Sequence, residues 1–172
     1  MATAVVTPDQ DCVIAEVFIA APPARVFEAI TDPNQVPKWW GQQGLYRILD
    51  WKADLRPGGK WLSSGQGADG TAFTVQGEYI EVVPPRLLVH TWVPSYAGNY
   101  KTVVRWELEP AEVHGLHPSG PRKAGTGTKV VIRHTGFVGA PPAMCASHAD
   151  GWKRVMGWIK VYLEENKSVE VR

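Results

Sequence analysis

Apolar and polar side chains alternate along the middle of the chain, the pattern of β-strands with one buried face. Over 100–109, the apolar positions point to one side and Lys, Arg and Glu to the other. In the segment 46–55 the same alternation predicts that Leu49, Trp51 and Ala53 share the buried face. One-sided strands of this kind are typical of antiparallel sheets. Further strand-like segments lie at 12–20, 60–64, 71–83, 87–93 and 128–135.

Helical spacing of apolar residues predicts three helices. The first lies between Pro22-Pro23 and Asp32-Pro33, because proline is tolerated in a first helical turn and disfavours helix in the residue before it. A second, short helix is predicted over 34–40. The third is predicted from about Pro141 to about Lys167, with one apolar stripe that must pack on another surface.

The order of these elements predicts an α+β fold, because the strands form one run and the helices stand apart from it. Residues 12–167 are expected to form a single domain. Residues 1–11 are expected to be a flexible lead, and 168–172 a short tail. Several Gly and Pro residues between 110 and 127 predict a long irregular connection before the last strand.

Composition narrows the class of protein. A chain of 172 residues is long enough to fold around one core without disulfides or metals. The net charge is +1, which gives no bulk attraction to nucleic acid, and no apolar run is long enough to insert into a membrane. With only two cysteines, Cys12 and Cys145, the chain fits a reducing compartment, so we predict a cytoplasmic location. Eight Trp, five Tyr and four Phe indicate either a thick core or an aromatic pocket.

Several short motifs occur in a fixed order. The most specific are Asp54-Leu55-Arg56-Pro57-Gly58-Gly59 and Gly151-Trp152, with His134-Thr135-Gly136-Phe137 between them. With them, the chain resembles the START/birch-pollen-allergen-like superfamily (SRPBCC), over about residues 12–166. Within it, the chain is most similar to the branch named after the activator of the heat-shock-protein-90 ATPase.

The resemblance implies a helix-grip fold, in which a curved seven-stranded antiparallel sheet wraps around the long C-terminal helix. A cavity often lies between the sheet and that helix in this superfamily. The segment 111–127 is longer than the tight hairpin usual for the family. The superfamily includes carriers of apolar ligands, enzymes and chaperone partners, so the fold alone does not decide the function.

We predict a ligand-binding cavity from the residues in the inward phase of the strands and on the helix stripe. An aromatic pocket with few polar groups suits a small hydrophobic or aromatic molecule. For each ring, simple filling of the core is the alternative. The predicted cavity residues are Trp51, Phe73, Tyr79, Trp92, Tyr100, Val104, Trp106, His134, Cys145, His148 and Trp152.

No catalytic or metal-binding motif stands out, and we predict no metal and no cofactor. His134 and His148 are predicted to point inward, where a satisfied core histidine is commoner than an acid or base. Cys145 lies one helical turn from His148, but nothing else marks it as a nucleophile. His114 and His117 lie in a segment rich in Gly and Pro and form at best a weak metal pair.

Three functions are therefore considered. The leading one is a protein that binds a small apolar molecule in the cavity. The second is a cyclase-like or hydratase-like enzyme with His134 or Tyr100 as acid or base, which a titratable dyad in the cavity would favour. The third is a chaperone-interacting module. A protein partner, or a second copy of this chain, would dock near Trp39-Trp40, and an exposed apolar patch there would favour it. The sequence leaves open whether the chain is an enzyme and favours a binding protein.

Overall fold

A computed structural model describes residues 2–113, 116–117, 120–121, 125–141 and 143–171. The helices in this part of the chain are α1 (Pro23–Thr31), α2 (Val36–Trp39) and α3 (Met144–Glu165). Two short 3-10 turns lie at Ser95–Ala97 and Val169–Val171. The strands are β1 (Thr3–Val6), β2 (Cys12–Ile19), β3 (Gly41–Gln42), β4 (Tyr46–Ala53), β5 (Lys60–Gly67), β6 (Ala72–Val83), β7 (Leu87–Pro94), β8 (Thr102–Val113), β9 (Leu116–His117), β10 (Gly120–Pro121) and β11 (Gly125–Thr135).

Nine of these strands form one curved antiparallel sheet in the order β1-β2-β11-β8-β7-β6-β5-β4-β3. The long helix α3 lies along the concave side of the sheet, as its apolar stripe predicted. The α+β helix-grip architecture is thus confirmed, with nine strands in place of the expected seven. The short strands β1 and β3 are the two edges of the sheet.

Both ends of the chain are more ordered than the sequence predicted. Residues Thr3–Val6 pair with β2, from Thr3 opposite Glu16 to Val6 opposite Val13, so this part of the expected flexible lead is a strand. At the other end, the Val169 side chain is only 1% exposed, so the expected tail also contributes to the core.

The connection before the last strand also differs from the prediction. The ladder between β8 and β11 continues as far as Val113 opposite Gly125, where an irregular segment was expected. A small second ladder pairs β9 with β10. Proline and glycine therefore do not interrupt the pairing where the prediction placed the break.

A β-bulge in β4 overturns the predicted side-chain alternation there. The register of β4 on β5 shifts between Ile48 and Asp50. Because a bulge adds one residue to a strand, the phase of the side chains changes across it. Ile48 and Trp51 are therefore both buried, whereas Leu49, predicted to face inward, is 57% exposed. The bulge gives the concave face two large apolar side chains that strict alternation could not supply.

Helix α3 buries the predicted stripe, including His148, Trp152 and Ile159. It begins at Met144 and ends at Glu165, slightly inside the predicted limits. Polar contacts attach its last turns to β2, because Lys160 Nζ donates to the Phe18 carbonyl at 2.7 Å and Glu164 accepts from the Ala20 amide at 2.9 Å. The first half of the helix has no such polar tie to β2 in the described residues, and its Trp152 contacts Trp92 of β7 and Trp106 of β8.

Candidate functional site

A cavity of about 500 Å³ lies between strands β4–β7 and the first half of α3. Its floor is buried and largely aromatic. Its mouth is formed by exposed residues of the β5–β6 turn, the 3-10 turn after β7 and one side of α3. The floor consists of Trp40, Ile48, Trp51, Ser63, Val75, Trp92 and Trp152. The mouth consists of Thr71, Ala72, Ser95, Tyr96, Ser147 and Arg154.

Trp40 stands at the centre of the floor. Its ring centroid lies 6.0 Å from that of Trp51, 6.3 Å from that of Trp92 and 5.9 Å from that of Trp152. Because β4, β7 and α3 each supply one of these neighbours, Trp40 joins the sheet to the helix. Contacts of this geometry are favourable between aromatic rings beyond the area that they bury.

The tandem Trp39-Trp40 is interior and offers no docking surface. Trp39 is 0% exposed and Trp40 is 5% exposed, so neither ring provides the exposed apolar patch that would favour a protein or homodimer contact in this region. Trp39 donates from Nε1 to the Ala29 carbonyl at 2.9 Å, beneath α1. Gly41 follows at a φ of 131°, and a Cβ there would lie 2.6 Å from the Tyr46 carbonyl oxygen. The chain turns sharply after the two tryptophans, whose rings stack with centroids 5.2 Å apart, and only glycine fits at this turn.

A glycine in α3 leaves part of the cavity open. Gly151 lines the cavity, and a Cβ built on it meets no atom within 4 Å. Gly157 lies further along the same helix, is equally open at its own Cβ position and does not line the cavity. Gly151 is therefore the position where an added side chain would enter the cavity without a backbone clash.

The polar groups of the cavity are few. The Tyr46 hydroxyl accepts a hydrogen bond from Trp40 Nε1 at 3.3 Å. Burial raises the pKa of Tyr46, while the positive charge of Arg154 acts on it in the opposite direction. Ser63 and Ser147 line the floor and the mouth, and their hydroxyls have no hydrogen-bond partner among the described residues. Arg154 is the one charged residue among the described residues that line the cavity.

His148 lines the cavity with both ring nitrogens occupied. Trp92 Nε1 lies 3.3 Å from His148 Nε2, and His148 Nδ1 lies 2.8 Å from the Met144 carbonyl. An indole N–H only donates and a carbonyl only accepts, so the ring is neutral with its proton on Nδ1. Burial also lowers the pKa of His148 below its usual range.

Two more histidines repeat this pairing with tryptophan deeper in the core. Trp152 Nε1 donates to His134 Nδ1 at 2.9 Å, and His134 Nε2 lies 2.6 Å from Thr102 Oγ1. Trp106 Nε1 donates to His90 Nε2 at 3.1 Å. Burial lowers the pKa of His90 to about 4 and holds that of His134 well below its usual range. Each histidine is therefore a neutral acceptor that fixes the orientation of one indole.

The structure places only some of the predicted cavity residues around the main cavity. Trp51, Phe73, Trp92, His148 and Trp152 line it. The others lie where the core is closed or at its margin, and Tyr100, predicted to begin a strand, precedes β8, which starts at Thr102. These are Tyr79, Tyr100, Val104, Trp106, His134 and Cys145.

Tyr79 and Trp106 lie against a second, deeper cavity of about 10 Å³, which shares Trp40, Trp51 and Trp92 with the main one. Burial raises the pKa of Tyr79 to about 12. The Tyr79 hydroxyl and Trp51 Nε1 are both buried without a hydrogen-bond partner among the described residues. A space of this size and polarity suits one water molecule, which needs at least two polar neighbours.

The remaining four have other surroundings. Val104 and His134 are fully buried where α3 packs directly on the sheet. The Tyr100 hydroxyl donates to the Val138 carbonyl at 2.9 Å, outside the cavity. Cys145 is half-buried at the start of α3, and burial raises the pKa of its thiol, which disfavours the nucleophilic thiolate.

Several cavity residues were not predicted from the sequence. They are Trp40, Tyr46, Ser63, Tyr96, Ser147 and Arg154. Ser147 and Arg154 could have been found from helical periodicity, because each lies three or four residues from Gly151 on the face next to the apolar stripe. For Trp40 and Tyr96, which lie outside regular strands, no periodic signal exists.

No group of three metal-ligating side chains occurs in the part of the chain that the structure describes. His114, of the weak pair considered above, lies outside the described residues, as does the side chain of His117. Among the described helices, none combines the length and the hydrophobicity needed to cross a bilayer.

Several solved structures have a fold similar to that of this chain. A protein from Chromobacterium violaceum aligns with 22% identity over 90% of this chain and 97% of its own, with a TM-score of 0.69. A protein from Rhodobacter sphaeroides aligns with 17% identity over 97% of this chain and 100% of its own, with a TM-score of 0.73. DynU16, a protein of the dynemicin biosynthetic locus, aligns with 23% identity over 92% of this chain and 49% of its own, with a TM-score of 0.66.

At these identities the likeness to solved structures extends to the fold alone. No curated protein matches the sequence. The sequence model of one family, described as activator of Hsp90 ATPase homolog 1-like protein, matches residues 20–116, which is more than half of the chain. The chain therefore belongs to the family of activator of Hsp90 ATPase homolog 1-like proteins.

Proposed function

We propose that this protein binds a small hydrophobic, largely aromatic molecule in the cavity between the sheet and α3. The observation that carries the proposal is the 500 Å³ of open space above a floor of four tryptophans. Pockets for small molecules have volumes of about 300–1,000 Å³ and present mainly apolar walls with a few polar groups. The space is open because Gly151 projects no side chain into it.

The polar groups of the cavity support binding more than acid–base catalysis. A general base needs a lone pair within reach of the substrate. In His148 the Nε2 lone pair accepts from Trp92 and the Nδ1 proton is directed to the Met144 carbonyl. His134, the histidine of the enzyme hypothesis, does not line the cavity. Tyr46 and Tyr96 also line the cavity, and burial raises the pKa of both hydroxyls, so they stay protonated near neutral pH and offer no base.

To test the proposal, a large side chain is introduced at Gly151 so that it fills the cavity. In the Gly151→Phe variant, the new ring should occupy the space above Trp152 and prevent binding of the uncharged fluorophore phenylnaphthylamine. Gly157→Phe is the matched control, because it makes the same change in the same helix away from the cavity. The measurement is a fluorescence titration together with the melting temperature.

We expect the unmodified protein and Gly157→Phe to bind the fluorophore, and Gly151→Phe to bind it at least tenfold more weakly. A ligand specific for the folded state stabilises it by about 2.7 kcal/mol at a hundredfold excess over Kd. The melting temperature should therefore rise with the fluorophore in the first two proteins only. Equal binding by both variants, or no binding by the unmodified protein, would contradict the proposed function.

A further inference from the structure

We infer that the ligand of this cavity carries an anionic group, which Arg154 binds at the mouth while the apolar part of the ligand lies on the tryptophan floor. The inference rests on the proposed function and adds the chemical class of the ligand. That class is an aromatic or otherwise apolar molecule with a carboxylate, sulfonate or similar group at one end.

Arg154 is available for a ligand. It makes no hydrogen bond or ion pair with any described residue, although it lines the cavity. The arginines on the described strands are engaged by carboxylates, as in Arg47 with Glu170 at 3.6 Å and Arg133 with Glu107 at 2.7 Å. The guanidinium group presents several fixed N–H donors that match the geometry of an oxyanion.

The neighbours of Arg154 also donate rather than accept. Because the Tyr46 oxygen accepts from Trp40, its own proton is free to donate into the cavity, and no acceptor for it occurs among the described residues. Tyr46 and Arg154 line the same cavity, and the positive charge of Arg154 acts to lower the pKa of Tyr46. Ser147 adds a hydroxyl on the same side of α3. These groups could surround an anion with hydrogen-bond donors.

Negative charge is missing from the lining of the cavity. No Asp or Glu lines it in the described part of the chain, and His148 is neutral. An acidic ligand would therefore meet no carboxylate inside the cavity, and its anionic group would remain partly hydrated because Arg154 is exposed. A cationic ligand would find no partner, and a neutral one would leave the arginine unused.

The experiment compares two probes that differ by one charged group. Anilinonaphthalene sulfonate is phenylnaphthylamine with a sulfonate added, so the pair isolates the anionic group while keeping the aromatic part. The affinities of both are measured by fluorescence for the unmodified protein, for Arg154→Gln and for Lys153→Gln. Lys153 is exposed on α3 and does not line the cavity, so its variant controls for the loss of one positive charge.

We expect the sulfonate to bind about tenfold more tightly than the uncharged probe at low salt. Arg154→Gln should remove that difference by weakening the sulfonate about tenfold more than it changes the uncharged probe, and Lys153→Gln should preserve the difference. Equal affinity of the two probes for the unmodified protein would overturn the inference but not the proposed function. The same conclusion follows if Arg154→Gln weakens both probes equally. If neither probe binds, or if Gly151→Phe leaves both affinities unchanged, the proposed function fails and this inference with it.

Discussion

At the scale of single residues, the core is organised by tryptophan–histidine pairs rather than by apolar contact alone. Trp152, Trp92 and Trp106 each donate to a histidine that is itself buried. A buried polar group that loses its partner costs more than the hydrogen bond itself contributes. Each pair therefore fixes the position of a ring that would otherwise be held only by packing, and two of these rings, Trp92 and Trp152, line the cavity.

Trp152→Phe tests this arrangement, because it keeps an aromatic ring and removes the indole N–H. His134 Nδ1 would lose its donor in a site that is 0% exposed. We expect a loss of about 2–4 kcal/mol in the free energy of unfolding, from the unpaired acceptor and the smaller ring together. Urea denaturation measures it.

Trp158→Phe is the control for Trp152→Phe. Trp158 also donates from Nε1, to Gln42 Oε1 at 3.3 Å, but Gln42 is exposed, so water can replace the lost donor. The loss should be clearly smaller there. Equal denaturation midpoints for the two variants would show that the hydrogen bond to His134 stabilises the protein no more than the exposed hydrogen bond to Gln42 does.

At the scale of elements, helix α3 combines two tasks that conflict. It must pack on the sheet through Met156 and Ile159, yet leave space at the cavity, where Gly151 projects no side chain. Gly151 and, further along, Gly157 both weaken it as a helix. Glycine in a helix interior costs roughly 0.5–1 kcal/mol relative to alanine. Gly151 thus lowers the stability of the helix relative to alanine and keeps the cavity open for binding.

Gly151→Ala and Gly157→Ala should each raise the free energy of unfolding by about 0.5–1 kcal/mol. Neither Cβ meets another atom within 4 Å, and neither residue has a positive φ. Urea denaturation of the two variants checks the expectation. Gly59→Ala is the contrast, since its Cβ would lie 1.9 Å from the Asp54 carbonyl oxygen, and it should destabilise the protein. A stabilising effect of all three, or of none, would contradict this account.

The elements were mostly predictable from the sequence, and the cavity was predictable only in part. Strand alternation and the α3 stripe depend on residue periodicity, which the sequence displays directly. The bulge after Ile48 is an exception, because nothing in the local pattern marks where a register changes. The alternation of side chains along the strands predicted that Val104 and Trp51 face the same concave side of the sheet, but only Trp51 borders the cavity. Which part of that face the helix covers depends on the direction of α3, a property of the whole assembly.

At the scale of the whole molecule, the three buried neutral histidines make stability depend on pH. The unfolded chain binds a proton at each histidine as the pH falls below about 6.5, whereas folded His90 does so only near pH 4. Between these values the unfolded state holds more protons, so stability is greatest above pH 6.5 and declines as the pH falls toward 4. The lowered pKa values of His134 and His148 act in the same direction.

We expect the loss between pH 7 and pH 4 to reach about 3 kcal/mol from His90 alone. Urea denaturation at a series of pH values measures it. His90→Gln should be less stable at pH 7, because Trp106 depends on this acceptor, but its stability should change less with pH. A stability that is constant from pH 7 to pH 4.5 in the unmodified protein would exclude this linkage.

The tryptophan floor has a further, optical consequence. Seven of the eight tryptophans form one continuous set, with neighbouring ring centroids 5.0–6.3 Å apart. At such separations electronic excitation passes between indoles faster than any of them emits, so the light absorbed by the set leaves through its lowest-energy member. A molecule touching one ring would therefore quench or shift the emission of rings it never contacts. Occupancy of the cavity would therefore change the intrinsic fluorescence of nearly all the tryptophans in the core, including those that the ligand does not contact.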